Sequence, residues 1–434
     1  MRWFVGAFVL LLVGLWFRLG LLVYAMYALL ATLLISRYLA REWIENLSAT
    51  RECNRLTAQI GEKVAVVVTI KNEGALPVAW LLFEDSLPRD ALYNRPARIR
   101  VEGKRMMLSQ LRPHGQTTLL YQVDFVMRGY YQIGPLLLES GDLFGLHRRY
   151  KVVTEPHFIL VYPKVVPLQG YDLASRRPIG EVKLTHRLFE DPTRIAGVRR
   201  YQHGDSLNRV HWRATARTGE LHSKVYEPST VAGATLLLDF HRGSYPARSE
   251  PNGSELAVTS VASLANTVYQ MGQQVGLITN GRDAADRVRQ EGWKLEFRTR
   301  AAARRQIGMQ VSSDRLRPVT IETRRGADQL MRILEMLARL ELSDGLTFPQ
   351  LIMETASRMP RDATVVAVLS NVSQETAVAL GSLRRRGFAV TAILVVFDDS
   401  LYPDNAGRLM SESIDVRRVE NESMLSDVCS AQLV

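Results

Sequence analysis
The residue types best suited to chemistry crowd into one segment, Gly197 to Arg217, which reads GVRRYQHGDSLNRVHWRATAR. Asp205 and His211 are a carboxylate and an imidazole, the pairing that general-base catalysis uses. Gly204-Asp205 is also a natural turn pair. Arg209 and Arg217 suit bidentate bonding to carboxylates, and Trp212 carries a large apolar surface. Arg199 and Tyr201 complete the cluster. No nucleophile or metal-ligand set accompanies Asp205 and His211 at a matching spacing. The favoured role is a structural clasp joining two domains, followed by partner docking, then catalysis by Asp205 and His211. Elsewhere the chain has no G-x-x-x-x-G-K-S/T phosphate loop, no G-x-S-x-G elbow and no H-E-x-x-H. That pattern argues against an autonomous ATPase, an α/β-hydrolase or a metalloprotease, and no catalytic residue is assigned.

The elements that must position this cluster are bounded by composition. The chain has 434 residues, which suits two or three domains. Hydrophobic residues make up 47% and charged residues 23%, excluding bulk disorder. Apolar runs are too few for a polytopic transporter. Lys and Arg number 55 against 44 Asp and Glu, a net charge of +11 that suits an anionic partner such as a membrane surface or nucleic acid. Two cysteines, Cys53 and Cys429, cannot build a disulfide framework or a cysteine-rich zinc site.

Trp3 to Phe17 and Leu19 to Ile35 are apolar runs interrupted by Arg18. Crossing a bilayer of ~30 Å takes roughly 20 helical residues. A hairpin of two short spans turning at Arg18-Leu19-Gly20 is favoured over a single long span, because it puts Arg18 at an interface. No small-x-small cleavage site follows, so the anchor is expected to stay. Arg37, Arg41, Arg51 and Arg55 place the soluble part in the cytoplasm by the positive-inside rule, at the inner membrane.

Residues 56–155 predict an antiparallel β-sandwich, with strands at Lys63–Ile70, Leu119–Val126, Tyr130–Ile133 and Leu136–Leu138. Residues 156–230 form a connector that holds the cluster. Residues 231–434 alternate strands and helices, as a doubly wound α/β sheet requires. Its expected strands are Thr235–Phe240, Gln274–Thr279, Thr364–Leu369, Phe388–Phe397 and an edge strand at Ile414–Val419. Its expected helices are Ser254–Met271 with Ser254 as N-cap, Gly326–Leu342, Phe348–Met359 and Gln374–Arg385. Residues 282–325 interrupt this alternation with eleven arginines, Arg282, Arg287 and Arg324 among them. They read as a solvated insertion or as an anion-binding surface. Aromatic interleaving and nucleic-acid motifs are lacking, so nucleic acid is not the expected partner.

The Gly197–Arg217 segment resembles the signature of the bacterial "domain of unknown function 58" family, roughly R-x-Y-x-x-G-D-x-x-R-x-I-H-W-x-x-S-A-R. Arg199, Tyr201, Gly204, Asp205, Arg209, His211, Trp212, Ala216 and Arg217 fit. Val210 replaces Ile and Thr215 replaces Ser. Arg128-Gly129-Tyr130, Ile133-Gly134-Pro135 and Asp142 to Leu146 also look like family segments. The resemblance implies a multidomain chain: a transmembrane helical hairpin over residues 1–45, a β-sandwich, and a von Willebrand factor A-like α/β domain. It also implies a non-enzymatic scaffold that works beside a MoxR-type AAA+ ATPase and a client protein. A von Willebrand A domain often holds Mg²⁺ through D-x-S-x-S after its first strand. Here Asp239 keeps the first position, His241 and Gly243 occupy the serine positions, and Ser244 lies one place out of register. Leu369-Ser370-Asn371 lacks the later acidic residue. A degenerate site without metal or other cofactor is therefore expected.

Overall fold
A computed structural model describes residues 2–93, 95–142, 145, 147–168, 190–202, 210–228, 233–291, 316–360, 363–396, 400–426 and 428. The chain divides into two compact units. The first comprises Met1–Lys164 with Arg282–Asp314 and Leu334–Leu342; the second holds the remaining residues.

The first unit begins with two helices, α1 (Arg2–Trp16) and α2 (Gly20–Glu45), which pack on one another. Arg18 makes the turn in left-handed backbone, with φ 53°. The turn thus falls at the expected Arg18-Leu19-Gly20. Helix α2 is long and apolar enough to cross a membrane by length and composition. Its 26 residues extend about 39 Å. The arm from Leu21 to Ile35 is largely exposed, with Leu21 at 89%. Beyond it the helix changes surroundings: Ser36, Ala40, Trp43 and Ile44 are buried. Ser36 Oγ donates to Asp142 Oδ2, and Trp43 joins the core of the sheets. Lys151 Nζ closes the helix end by donating to the carbonyls of Glu45 and Leu47 at 2.8 and 2.9 Å, a favourable site for a cation.

Two four-stranded antiparallel sheets follow. One orders Leu47–Cys53, Lys63–Asn72, Gln116–Phe125 and Ile99–Gly103; the other orders Arg148–Thr154, Leu136–Gly141, Val78–Asp85 and Met106–Leu111. A smaller sheet joins Thr57–Gln59, His157–Tyr162 and Gly129–Ile133. Alternation places Val64, Val66, Val68 and Ile70 inward from one strand, and Leu119, Tyr121, Val123 and Phe125 from its neighbour. These residues, with Leu81, Phe83, Leu136 and Ile159, form one hydrophobic core.

A buried ion pair crosses that core. Arg51 comes from the first sheet and Asp85 from the second. Arg51 Nε donates to Asp85 Oδ2 at 3.0 Å, and Nη2 closes a second bond to Oδ1. Nη1 donates to the Glu155 carbonyl at 2.8 Å. Tyr121 OH completes the set, donating to Asp85 Oδ2 at 2.6 Å. Burial, and then the Asp85 charge, push the Tyr121 phenol well above its ordinary value. Gly134 is needed beside this pair: a Cβ there would collide with the guanidinium, and its φ is +89°.

The second unit is built on a six-stranded sheet in the order Val319–Arg324, Gln274–Thr279, Gly233–Leu238, Ala363–Leu369, Val390–Val395 and Asp415–Val419. All neighbours are parallel except Val319–Arg324, which runs antiparallel to Gln274–Thr279. The strands Gly233–Leu238 and Ala363–Leu369 are buried at every position, as expected of parallel strands covered on both faces. One face carries Leu237, Val365, Ala367 and Leu394 into a cluster with Leu351, Leu380 and Leu409 from three helices. Helix Asn252–Gln270 also packs on the sheet. Its buried hydroxyls on Ser260, Ser263 and Thr267 each bond back to the carbonyl four residues earlier, which satisfies them inside the helix.

Three expectations need correction here. Ser254 is not the N-cap of its helix; it lies inside Asn252–Gln270, where the Glu250 carboxylate accepts its N–H and its hydroxyl. The edge strand Val319–Arg324 sits within the stretch read as an insertion. In that same stretch Arg287 is buried and paired with Glu341 at 3.0 Å, so it is not a surface cation, whereas Arg324 stays exposed beside Glu322.

Removing one partner of a buried ion pair strands the other charge. Asp85→Ala is expected to cost about 3–5 kcal/mol, read from urea unfolding of the detergent-solubilised chain. A loss below about 1 kcal/mol, the level of an exposed pair, would contradict this account.

Candidate functional site
Two places collect the residues singled out in the sequence, and both lie in the second unit. The first is the signature hairpin. Strands Glu190–Arg200 and His222–Pro228 pair antiparallel, with Arg199 opposite Ser223. Between them Val210 bridges Ser223, His211 N donates to the His222 carbonyl at 2.8 Å, and helix Trp212–Thr218 follows. His211 caps this helix: Nδ1 accepts the Ala214 N–H at 3.0 Å. One ring nitrogen is thus committed to backbone, which is structural work. The helix ends at Gly219, φ 74°, the left-handed conformation glycine adopts at no steric cost.

The other signature residues divide. Arg199 and Arg217 are exposed, and Tyr201 is half-buried with its N–H on the Leu221 carbonyl. Trp212 is 68% exposed, so its large apolar surface is open to solvent. Arg213 beside it is exposed too. Gly204, Asp205 and Arg209 lie outside the described residues. The Asp205–His211 pairing lies outside them as well.

The second place is the carboxyl end of the central strand. Gly233–Leu238 has the next strand in sequence on one side and Ala363–Leu369 on the other, so Asp239 stands where the winding of the sheet reverses, the usual ligand position of such folds. Asp239 is 2% exposed. Its Oδ2 accepts Ser244 Oγ at 2.6 Å; its Oδ1 accepts Asn280 Nδ2 at 2.9 Å and His241 N at 3.1 Å. Tyr245 OH donates to the Asp239 carbonyl at 2.7 Å. Asn280 also accepts the Phe240 N–H at 2.6 Å and donates to the Leu346 carbonyl at 3.0 Å. Burial raises the Asp239 carboxyl above its ordinary value, although the Ser244, Asn280 and His241 bonds oppose the shift.

This donor set does not fit Mg²⁺. Both carboxylate oxygens already face hydrogen-bond donors, and the Asn280 amide presents its N–H rather than an oxygen. His241, in a serine position, turns Nδ1 to the Gly243 N–H at 3.0 Å. Among the described residues no three His, Cys, Asp or Glu are grouped to hold a metal ion. Ser244, out of register with the metal motif, serves instead as a hydrogen-bond donor to Asp239. The sequence reading missed Asn280. Its signal was its place directly after Gln274–Thr279, at a strand end beside the switch point, masked by the turn-like Asn280-Gly281 pair.

The fold and these sites define a multidomain chain with an apolar helical leader, antiparallel sheets and an α/β unit. Residues 197–298 match the family described as "Protein of unknown function DUF58", starting where the quoted signature starts. Similarity to that family model is thus carried by this segment, about a quarter of the chain. It is 25% identical over 259 residues to the "Uncharacterized protein YeaD" of Bacillus subtilis (strain 168), covering 59% of this chain. The match spans 62% of that relative's length. Among solved structures, the SpRpn10 VWA domain is matched over 46% of this chain and 93% of that one, at 12% identity and TM-score 0.28. The CARDB domain of PF1109 from Pyrococcus furiosus is matched over 27% and 94%, at 14% identity and TM-score 0.17.

Two predictions follow from the two geometries. His211→Ala should speed amide hydrogen exchange at Ala214 about fivefold, the effect of losing a cap worth ~1 kcal/mol, whereas His211→Asn should not. Equal effects of the two substitutions would reject the cap. For Asp239 the raised value means that the folded state favours the protonated acid. The stability it contributes is full below the ordinary carboxylate range and is lost as pH rises through the folded value. Urea midpoints of the wild type, measured relative to Asp239→Asn, should therefore fall from pH 3.5 toward neutrality; a rise would reverse the assignment.

Proposed function
We propose that this protein is a membrane-anchored, non-enzymatic interaction protein. Its signature hairpin docks a protein partner, which by the family resemblance is a MoxR-type AAA+ ATPase acting on a client complex. The observation that carries this reading is Trp212, 68% exposed on a short helix with Arg213 and Arg217 exposed beside it. Tryptophan and arginine are the residues that most often dominate binding energy at protein interfaces. His211 points the same way, because its Nδ1 is committed to capping that helix rather than held for proton transfer.

The remaining parts fit around this role. The hairpin of α1 and α2 is the anchor, at the inner membrane with the soluble part in the cytoplasm. The antiparallel sheets act as a sandwich-like platform. The six-stranded sheet, with its single antiparallel strand, is a von Willebrand factor A-like domain whose metal position has been taken over by hydrogen bonds. An arginine-based binder of nucleic acid or lipid is the weaker reading, since Arg287 of that stretch is buried in an ion pair with Glu341.

The test is affinity capture of the full chain from native membranes with the candidate ATPase, with and without nucleotide. Trp212→Ala should lower recovery on the order of 30-fold, as loss of a hot spot does, without moving the urea midpoint. Failure of the wild type to enrich the ATPase in either nucleotide state would defeat the partnership. Protease added to intact spheroplasts should leave the soluble part uncut; cleavage would reverse the orientation.

A further inference from the structure
A cavity of about 350 Å³ opens in the first unit between the end of strand Val78–Asp85 and helix Arg89–Tyr93. Its polar lining comes from Glu84, Ser86, Arg89 and Arg105, and its apolar walls from Leu87 and Leu92. The alternation of an extended chain explains the pattern. Asp85 turns into the core to meet Arg51 and Tyr121, so Glu84 and Ser86 on either side of it face the cavity.

Three features make this a built site. Ser86 is 3% exposed, yet its hydroxyl has no hydrogen-bond partner among the described residues. Buried hydroxyls are rarely left so, because an unmet donor is costly. Two guanidiniums face one carboxylate: Arg105 Nη1 holds Glu84 at 3.2 Å, and Arg89 makes no ion pair among the described residues. That leaves one positive charge over. Beside the charge, Leu87 and Leu92 give a wall suited to a short apolar body, and the volume is in the range of small-ligand pockets.

We infer that this cavity binds a carboxylate carried on a short apolar body, with the anion taken by Arg89, Arg105 and the Ser86 hydroxyl, and the body lying against Leu87 and Leu92. A free small acid and the carboxyl-terminal residue of a peptide share this chemistry. The inference stands apart from the docking role of the signature hairpin, since it uses none of the same residues.

The test is isothermal titration calorimetry on the full chain in non-ionic detergent. The probes are N-acetyl-leucine, 4-methylpentanoate, N-acetyl-leucinamide and inorganic phosphate. Both acids should bind saturably, while the uncharged amide and phosphate should not. Tighter binding of N-acetyl-leucine assigns the site to peptide carboxyl termini, and tighter binding of 4-methylpentanoate assigns it to free acids. Arg89→Gln should weaken both acids about tenfold, the scale of one charge-assisted hydrogen bond. Ser86→Ala should weaken them about fivefold without lowering the melting temperature, because the hydroxyl it removes has no partner in the folded chain. Absence of saturable binding by either acid, equal binding of the amide, or unchanged affinity in both variants would overturn the assignment.

Discussion
The Arg51–Asp85 pair is the interaction on which the first unit depends. It joins the two four-stranded sheets across a core that is otherwise hydrocarbon, and Tyr121 adds a third hydrogen bond to the same carboxylate. Hydrophobic burial is non-directional and sets no register by itself. A bidentate guanidinium does, because its planar fork accepts a carboxylate in few orientations. Once Asp85 must face inward, the outward aspect of Glu84 and Ser86 is decided, and with it the lining of the adjacent cavity. Gly134 is bound by the same constraint, since any side chain there would take the space of the guanidinium.

The second unit reaches a different solution for a buried carboxylate. Asp239 meets neutral hydrogen-bond donors in place of a guanidinium. It is held by the Ser244 hydroxyl, the Asn280 amide and the His241 N–H. Asn280 is the pivotal residue, because its amide serves both roles at once: donor to Asp239 and to the Leu346 carbonyl, acceptor from Phe240. A carboxylate in such a setting is a brace for the loops at the strand ends. The chemistry available at the switch point is correspondingly narrow, which fits a unit whose exposed indole lies elsewhere.

Much of this architecture was legible where local signals and burial agree. Gln274–Thr279 is a continuous apolar run, and Gln374–Arg385 has Ser373 at its N-cap; both fall on the residues expected. Elsewhere, tertiary contacts decided the outcome. Glu250 displaced Ser254 as the capping group because it lies close enough to bond both the Ser254 N–H and hydroxyl. Val319–Arg324 alternates apolar and polar residues among arginines and reads as a solvated stretch, yet pairing with Gln274–Thr279 makes it a strand. Gly276 permits that pairing, since a Cβ there would meet the Thr323 backbone at 2.9 Å. Arg51 counted toward topology as one of four juxtamembrane cations; the fold buries it in a core. No local pattern distinguishes an arginine bound for a bilayer surface from one bound for a buried aspartate.

Helix α2 passes from its apolar arm into the core of the sheets without a break or a hinge glycine, and Ser36, Ala40, Trp43 and Ile44 fasten its second half. The first unit therefore lacks the slack that a tether would provide. A pull or twist on the sheets is delivered along a stiff rod to the apolar arm, and a tilt of that arm swings the sheets by the same angle. Force applied to this unit would be met by a post and not a leash.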